Sequence, residues 1–227
     1  RPDLRVAQGH QDPLLHPPAS GRPDRYRGGG LRLLHAVRKH SCGSRISGVN
    51  DWDENRPYRV FVDESEVKGY SITAVYVQPC DVHKIKTLLR KHLRSGQRSI
   101  HFTKERPEVR NAVMSDIMEM PIKAELYKVE EKCREARSIC LQSLAEVLRD
   151  GKCQQLVLEQ NDSVCDSDRR VLREALGAGW SGTYDHLRAH QEPLLWLPDA
   201  ISWCWNKGGP WRDKLSSLDL KIVPLSR

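Results

Sequence analysis

Alternation of apolar and polar positions is clearest over 59–77, reading RVFVDESEVKGYSITAVYV. Tyr58, Val60 and Val62 fall on one side of a period-2 strand, and Arg59, Phe61 and Asp63 on the other. Residues 65–69 break the pattern. Residues 70–77 resume it with Ile72, Thr73, Val75, Tyr76 and Val77, the β-branched and aromatic types that strands favour. A hairpin is predicted, and its first strand ends in two acids, Asp63 and Glu64. An Asp-Glu-Ser triplet also serves as an ordinary polar turn, so its meaning depends on what the rest of the chain brings to it.

Helical spacing follows over 81–94, where Val82, Ile85, Leu88, Leu89 and Leu93 form one stripe. Asp81 stands where an N-cap is expected and Ser95-Gly96 ends the run. A short extended piece at 98–104 carries His101, and 108–118 reads as a helix. Alternation returns at 122–129. Residues 130–149 form an amphipathic helix with Leu141, Leu144, Ala145 and Leu148 on one face. The compact apolar run 154–160, QQLVLEQ, is a strand of the kind that follows a crossover helix, with Glu159 near its end and Asn161-Asp162 directly after. A helix over 166–176 stops at Gly177, a glycine-rich connection covers 177–193, and a last helix covers 194–206. Pro198 suits that helix's first turn, which puts Asp199 in its opening. Strands alternating with helices in this order predict an α/β fold with a mixed sheet.

Composition divides the 227 residues unevenly. Residues 1–57 are rich in proline and arginine, contain Gly28-Gly29-Gly30, and hold only short apolar clusters. Such a stretch buries too little apolar area to offset its ordering entropy. We therefore expect 1–57 to be a disordered or loosely attached basic tail, with one short helix near 31–39. The folded domain is expected over 58–207 and a C-terminal tail over 208–227. A net charge of +7 suits a polyanionic partner such as nucleic acid. The charged face of the 81–94 helix and the segment after it, with Lys84, Lys86, Arg90, Lys91, Arg94 and Lys104, is the expected backbone-phosphate contact, although such a run also makes an ordinary solvated face.

No apolar run reaches bilayer-spanning length and no signal-like stretch opens the chain, so no membrane association is expected. There are seven cysteines. Cys133, Cys140, Cys153 and Cys165 are separated by six, twelve and eleven residues, without a Cys-x-x-Cys pair. That spacing speaks against zinc and for reduced thiols in a cytoplasmic protein.

Three acids stand at element ends: Asp63 closes the first strand, Glu159 closes a later one, and Asp199 opens the last helix. In open α/β sheets functional groups gather beyond the carboxyl ends of strands. If the two strands are parallel neighbours, Asp63 and Glu159 project from one edge. Carboxylates brought together repel unless a cation neutralises them. Mg²⁺ or Mn²⁺, hard ions that take carboxylate oxygens and keep waters, are the natural choice. Against this stands the plain fact that charged residues collect at element ends anyway.

Val62-Asp63-Glu64-Ser65, the apolar strand after it, Ile100-His101-Phe102, the Glu159 strand and Leu197-Pro198-Asp199-Ala200 together resemble the family called domain of unknown function 3800, over about 57–207. The resemblance implies an RNase H-like fold and a nuclease-type metal site. Asp63 would be the first-strand metal ligand, Asp199 the acid of the last helix, and Glu159 or Asp162 the acid from the later strand, with Glu159 preferred. His101 would be a ligand, a substrate contact or a proton shuttle. Glu64 is the next catalytic candidate, although on a continuing strand it points away from Asp63. Ser99 stands where the family often has Glu, and Pro198 where it often has Ala. The expected activity is metal-dependent hydrolysis of RNA or DNA. The alternative is a nucleic-acid-binding or regulatory module that keeps the fold without catalysis, and a protein-interaction domain is a third reading.

Overall fold

The computed structural model describes residues 52–226 apart from Lys132 and Asp150. The expected tail up to residue 51, including the 31–39 helix, lies outside the described residues. Six strands form one sheet: β1 (Tyr58–Ser65), β2 (Tyr70–Val77), β3 (Ile122–Val129), β4 (Cys153–Glu159), β5 (Thr183–Leu187) and β6 (Asp219–Leu225). Their order is β5-β4-β1-β2-β3-β6. The hairpin partners β1–β2 and the pair β2–β3 are antiparallel, while β1–β4, β4–β5 and β3–β6 are parallel. Six helices complete the fold: α1 (Val82–Arg90), α2 (Pro107–Met118), α3 (Ala136–Arg149), α4 (Cys165–Leu176), α5 (Trp196–Lys207) and α6 (Pro210–Asp213). This is the mixed α/β sheet flanked by helices that the alternating pattern predicts.

Alternation along β1 and β2 divides the core in two. Phe61, Val75 and Val77 pack with α1, α2 and α5 on one face. Val60, Val62, Ile72 and Ala74 pack with α3 and α4 on the other. Every residue of β2 is buried, as befits a strand flanked on both sides and covered on both faces. The hairpin turn needs a left-handed backbone at Lys68 (φ 55°) and Gly69 (φ 103°). At Gly69 a Cβ would also come within 2.5 Å of the Val129 carbonyl oxygen, so the turn has room only for glycine.

Several boundaries differ from expectation. α3 begins at Ala136 rather than 130, because 130–135 supplies no apolar stripe; Lys128 and Glu130 pair there instead. Asp81 sits at the N-cap position of α1 but makes no capping bond. The largest correction concerns two strands. β5 lies within the supposed connection 177–193, and β6 lies within the supposed tail 208–227, which is therefore part of the fold. Both are edge strands. They are only half-buried, and β6 contains Pro224, which an edge tolerates.

Candidate active site

β1 and β4 run parallel in a register that pairs Val62 with Leu158, so the next positions, Asp63 and Glu159, emerge from the same sheet end. Phe61 and Val157 fix their side as the α5 face. Asp199 approaches from the first turn of α5, where its Oδ2 accepts a hydrogen bond from the Phe102 backbone N–H at 2.8 Å. Burial pushes Asp63 well above the ordinary carboxylate range, and Glu159 and Asp199 push it further; Glu159 also shares a hydrogen bond with it. Burial likewise raises Asp199. The Phe102 N–H and His101 pull it down, and Glu159 pushes it up. The three acids thus meet electrostatically at one sheet end.

Directly across β2 from Asp63 stands Thr73. It is fully buried, and its hydroxyl has no hydrogen-bond partner. Paired residues of antiparallel strands hold their Cβ atoms ~5 Å apart on the same face, so Thr73 shares the α5 face of the sheet with Asp63.

Glu64, one residue on, is treated in the opposite way. It turns to the α3–α4 face and accepts from Tyr70 Oη at 2.6 Å and from Asn161 Nδ2 at 3.1 Å, and it pairs with Arg137. Arg137 in turn grips Asp168 with two bonds, Nε–Oδ1 at 2.7 Å and Nη2–Oδ2 at 2.8 Å. His186 Nε2 is 3.1 Å from Asp168 Oδ2. Burial works to raise Asp168, but the bonds from Arg137 and His186 outweigh it and hold the acid below its ordinary value. A cleft of about 440 Å³ opens here, lined by Asp63, Glu64, Arg137, Glu159 and Asn161 among others. Asp199 and His101 are not among its lining residues.

The other sequence candidates divide. His101 is exposed, lies beside Asp199, and has Ser99 Oγ 3.3 Å from its Nε2. Asp162 is exposed, accepts from Gln160 Nε2 and from Arg188 Nη2, the latter at 2.9 Å, and lines the same cleft as Asp63, Glu64 and Glu159. Among the basic candidates Lys86 is committed to Glu192 at 2.6 Å and Arg94 to Glu105 at 3.3 Å. Lys84, Arg90, Lys91 and Lys104 are exposed. β2 ends at Val77 opposite Arg59, so α1 begins at the sheet end away from Asp63, with Lys84 in its first turn. Sequence reading missed Thr73, Tyr70, Arg137, Asp168 and His186. Thr73 is recoverable from the hairpin register alone. The others come together only through tertiary packing.

The α5-face set offers hard carboxylate oxygens, the donors that divalent cations take, and an unpartnered hydroxyl on the neighbouring strand; Arg137 acts against the rise of Asp63 and His101 against that of Asp199. Among the described residues no group of three or more His, Cys, Asp or Glu side chains is arranged to hold a metal ion. An ion there would complete its shell with waters or substrate oxygens, as Mg²⁺ commonly does.

A mixed sheet with helices on both faces and acids at the end of two neighbouring parallel strands defines an RNase H-like α/β protein. No family model matches the chain, and no curated protein matches it in sequence. Among solved structures, it is similar to a chain of the PCNA–RNase HII complex from Archaeoglobus fulgidus. That match has a TM-score of 0.46 and 18% identity, over 66% of this chain and 71% of the other. It is also similar to Bst-RNase HIII in complex with Mn²⁺, at a TM-score of 0.33 and 10% identity, over 68% of this chain and 56% of the other. Among the described residues no helix is long and apolar enough to cross a membrane. Of the six described cysteines, Cys140, Cys153, Cys165 and Cys204 are buried.

Proposed function

We propose that this chain is a divalent-metal-dependent nuclease that hydrolyses phosphodiester bonds in RNA or DNA. The observation that carries the reading is the raised Asp63, buried against Glu159 and Asp199 without an equal compensating charge. Asp63, Glu159 and Asp199 would hold Mg²⁺ or Mn²⁺. Once bound, the ion would activate water and stabilise the developing charge on the leaving oxygen. The chain's own groups do the rest. Phe102 N–H fixes one Asp199 oxygen, Oδ2, and leaves the other without a recorded hydrogen bond among the described residues. Thr73 offers its hydroxyl to the Asp63 carboxylate or to a water beside it. His101, exposed beside Asp199, is placed to pass a proton to or from a substrate oxygen. The same residues support the resemblance to the domain of unknown function 3800 family, and the buried thiols Cys140, Cys153, Cys165 and Cys204 support a cytoplasmic setting.

A second reading keeps the fold and nucleic-acid binding without catalysis. It is favoured by the hydrogen bond shared between Asp63 and Glu159, which lets a metal-free site satisfy itself. Labelled RNA, DNA and hybrid strands incubated with Mg²⁺, Mn²⁺ or EDTA decide between the two. Cleavage that needs metal and disappears in Asp63→Asn and Asp199→Asn is the expected result. Intact strands in every lane, with binding retained without metal, select the second reading.

A further inference from the structure

The connection from α1 to α2 carries His101 between two core residues. Ile100 and Phe102 are buried, and the extended backbone of His101 (φ −117°, ψ 106°) turns its side chain the other way, into solvent. The Phe102 N–H that donates to Asp199 Oδ2 belongs to the peptide joining His101 to Phe102, so His101 stands one residue from that carboxylate. The polar side chains of the connection converge on Glu105, which is only 3% exposed. Its Oε1 accepts from Gln97 Nε2 at 2.6 Å and its Oε2 from Arg94 Nη2 at 3.3 Å. The same Gln97 Nε2 donates to Ser99 O at 2.9 Å, and Gln97 Oε1 accepts from the Arg94 N–H and Nε at 3.2 and 3.3 Å. Both protons and the oxygen of the Gln97 amide are thus in use. Past His101, the Lys104 N–H donates to His101 O at 2.8 Å, and Arg110 donates to Phe102 O and Thr103 O at 2.7 Å each.

Stability alone is a weak reason to bury a carboxylate in a surface connection. An apolar side chain of similar size commonly does as well or better, because desolvation offsets most of what the charge gains from its partners. What the carboxylate adds is direction: its two oxygens tie residues 94, 97 and 105 into one arrangement. The next link is Ser99, whose carbonyl Gln97 holds and whose Oγ is 3.3 Å from His101 Nε2. From Glu105 the bonds run through Gln97 and Ser99 to the imidazole. Neither Glu105 nor Gln97 lines the cleft.

We propose that Glu105 is a positioning residue: through Gln97 and Arg94 it fixes the 94–105 connection so that the His101 imidazole and the Phe102 N–H are presented at Asp199. The proposal rests on the nuclease reading for what His101 does, and on the geometry for how the connection is held. Glu105 meets no substrate atom; it places the group that does. Arg94, expected from sequence to contact phosphate, serves instead as one of the two donors to Glu105. Loosening the connection leaves the three site acids in the chain and misplaces the proton-transfer group, so turnover should suffer and substrate affinity should not.

The test uses the intact chain and includes an arm that needs no activity. Glu105→Gln keeps the size of the side chain but sets an amide nitrogen against Gln97 or Arg94, so one of the two bonds is lost. Gln97→Met, which keeps Glu105 itself, is the second variant, and melting curves check that both fold. In amide hydrogen exchange of the metal-free protein, both should let the Phe102 N–H exchange about tenfold faster while Val75, in the middle of the sheet, is unchanged. In cleavage assays with Mg²⁺, each should lower kcat about tenfold and leave KM nearly as it was. In a His101→Ala background neither should cost anything further, because the group being placed has gone. Unchanged Phe102 exchange, unchanged cleavage, or an equal loss of cleavage in the His101→Ala background overturns the proposal. So does full activity of His101→Ala itself. A wild type that never cleaves sinks the nuclease reading instead, and the exchange arm alone then decides whether Glu105 holds the connection at Asp199.

Discussion

Asp63 and Glu64 are neighbours in sequence and opposites in treatment. Glu64 faces α3 and α4, where Tyr70, Asn161 and Arg137 meet its oxygens, and Asp168 and His186 hold Arg137 in place. Asp63 faces α5, where it meets two more acids and an orphaned hydroxyl. One strand thus sends Glu64 into a closed, ion-paired network and Asp63 into an open cluster of acids. A fold can afford the first arrangement anywhere. The second lowers stability unless a ligand offsets it, and such sites are where function concentrates.

The largest effect should come from removing the open carboxylate. Asp63→Asn is expected to reduce cleavage on the order of a thousandfold, about 4 kcal/mol of transition-state stabilisation, without lowering the melting temperature of the metal-free protein. Single-turnover assays beside thermal melts check both halves. Loss of activity together with a large loss of stability would erase the contrast between the two faces.

Removing the closed network's cation should do the reverse. Arg137 is 14% exposed and Asp168 1%. Arg137→Ala leaves Asp168 buried with only His186 and strips Glu64 of its ion pair, which should cost about 3–5 kcal/mol. Urea titration measures it. A cost under about 1 kcal/mol would mean the network is solvated in a way the geometry does not show.

The two faces also differ in how they respond to pH. Asp63 and Asp199 titrate above their ordinary value of 3.8. Between that value and their raised ones the folded chain binds more protons than the unfolded, so their contribution to stability falls as pH rises. Asp168 lies on the other side of 3.8. Its contribution is fully present above that value and is lost only as pH falls through its lower folded one. The metal-free protein should therefore lose stability as pH rises from about 4 toward neutrality. Asp63→Asn should flatten that slope, and Arg137→Ala should leave its sign unchanged. A wild-type slope of the opposite sign contradicts the assignment.

How much of this was legible beforehand follows from what each feature depends on. The hairpin, α3's stripe and the QQLVLEQ strand carry their own periodicity, and the strand-end positions of Asp63 and Glu159 came with it. β5 and β6 did not show, because an edge strand needs neither a continuous apolar run nor freedom from proline. Arg137 was hidden in a helix predicted to start six residues too early. Its partners Asp168 and His186 lie on α4 and β5, so only the packed fold brings the three together. Lys86 and Arg94 looked free for the same reason: their acids, Glu192 and Glu105, arrive from other segments.

The smallest predicted effect concerns Thr73. Thr73→Val keeps the shape and removes a buried hydroxyl that has no partner. We expect the metal-free protein to gain about 1 kcal/mol of stability while Mn²⁺ binding weakens several-fold. A stability loss would show that the hydroxyl is satisfied in solution.

The most direct measurement is a Mn²⁺ titration of the intact chain by electron paramagnetic resonance, with Asp63→Asn, Asp199→Asn and Glu64→Gln beside the wild type. We expect the wild type and Glu64→Gln to take up Mn²⁺ and the two asparagine variants to lose it. Equal uptake by wild type and Asp63→Asn, or loss confined to Glu64→Gln, would contradict an open carboxylate site on the α5 face.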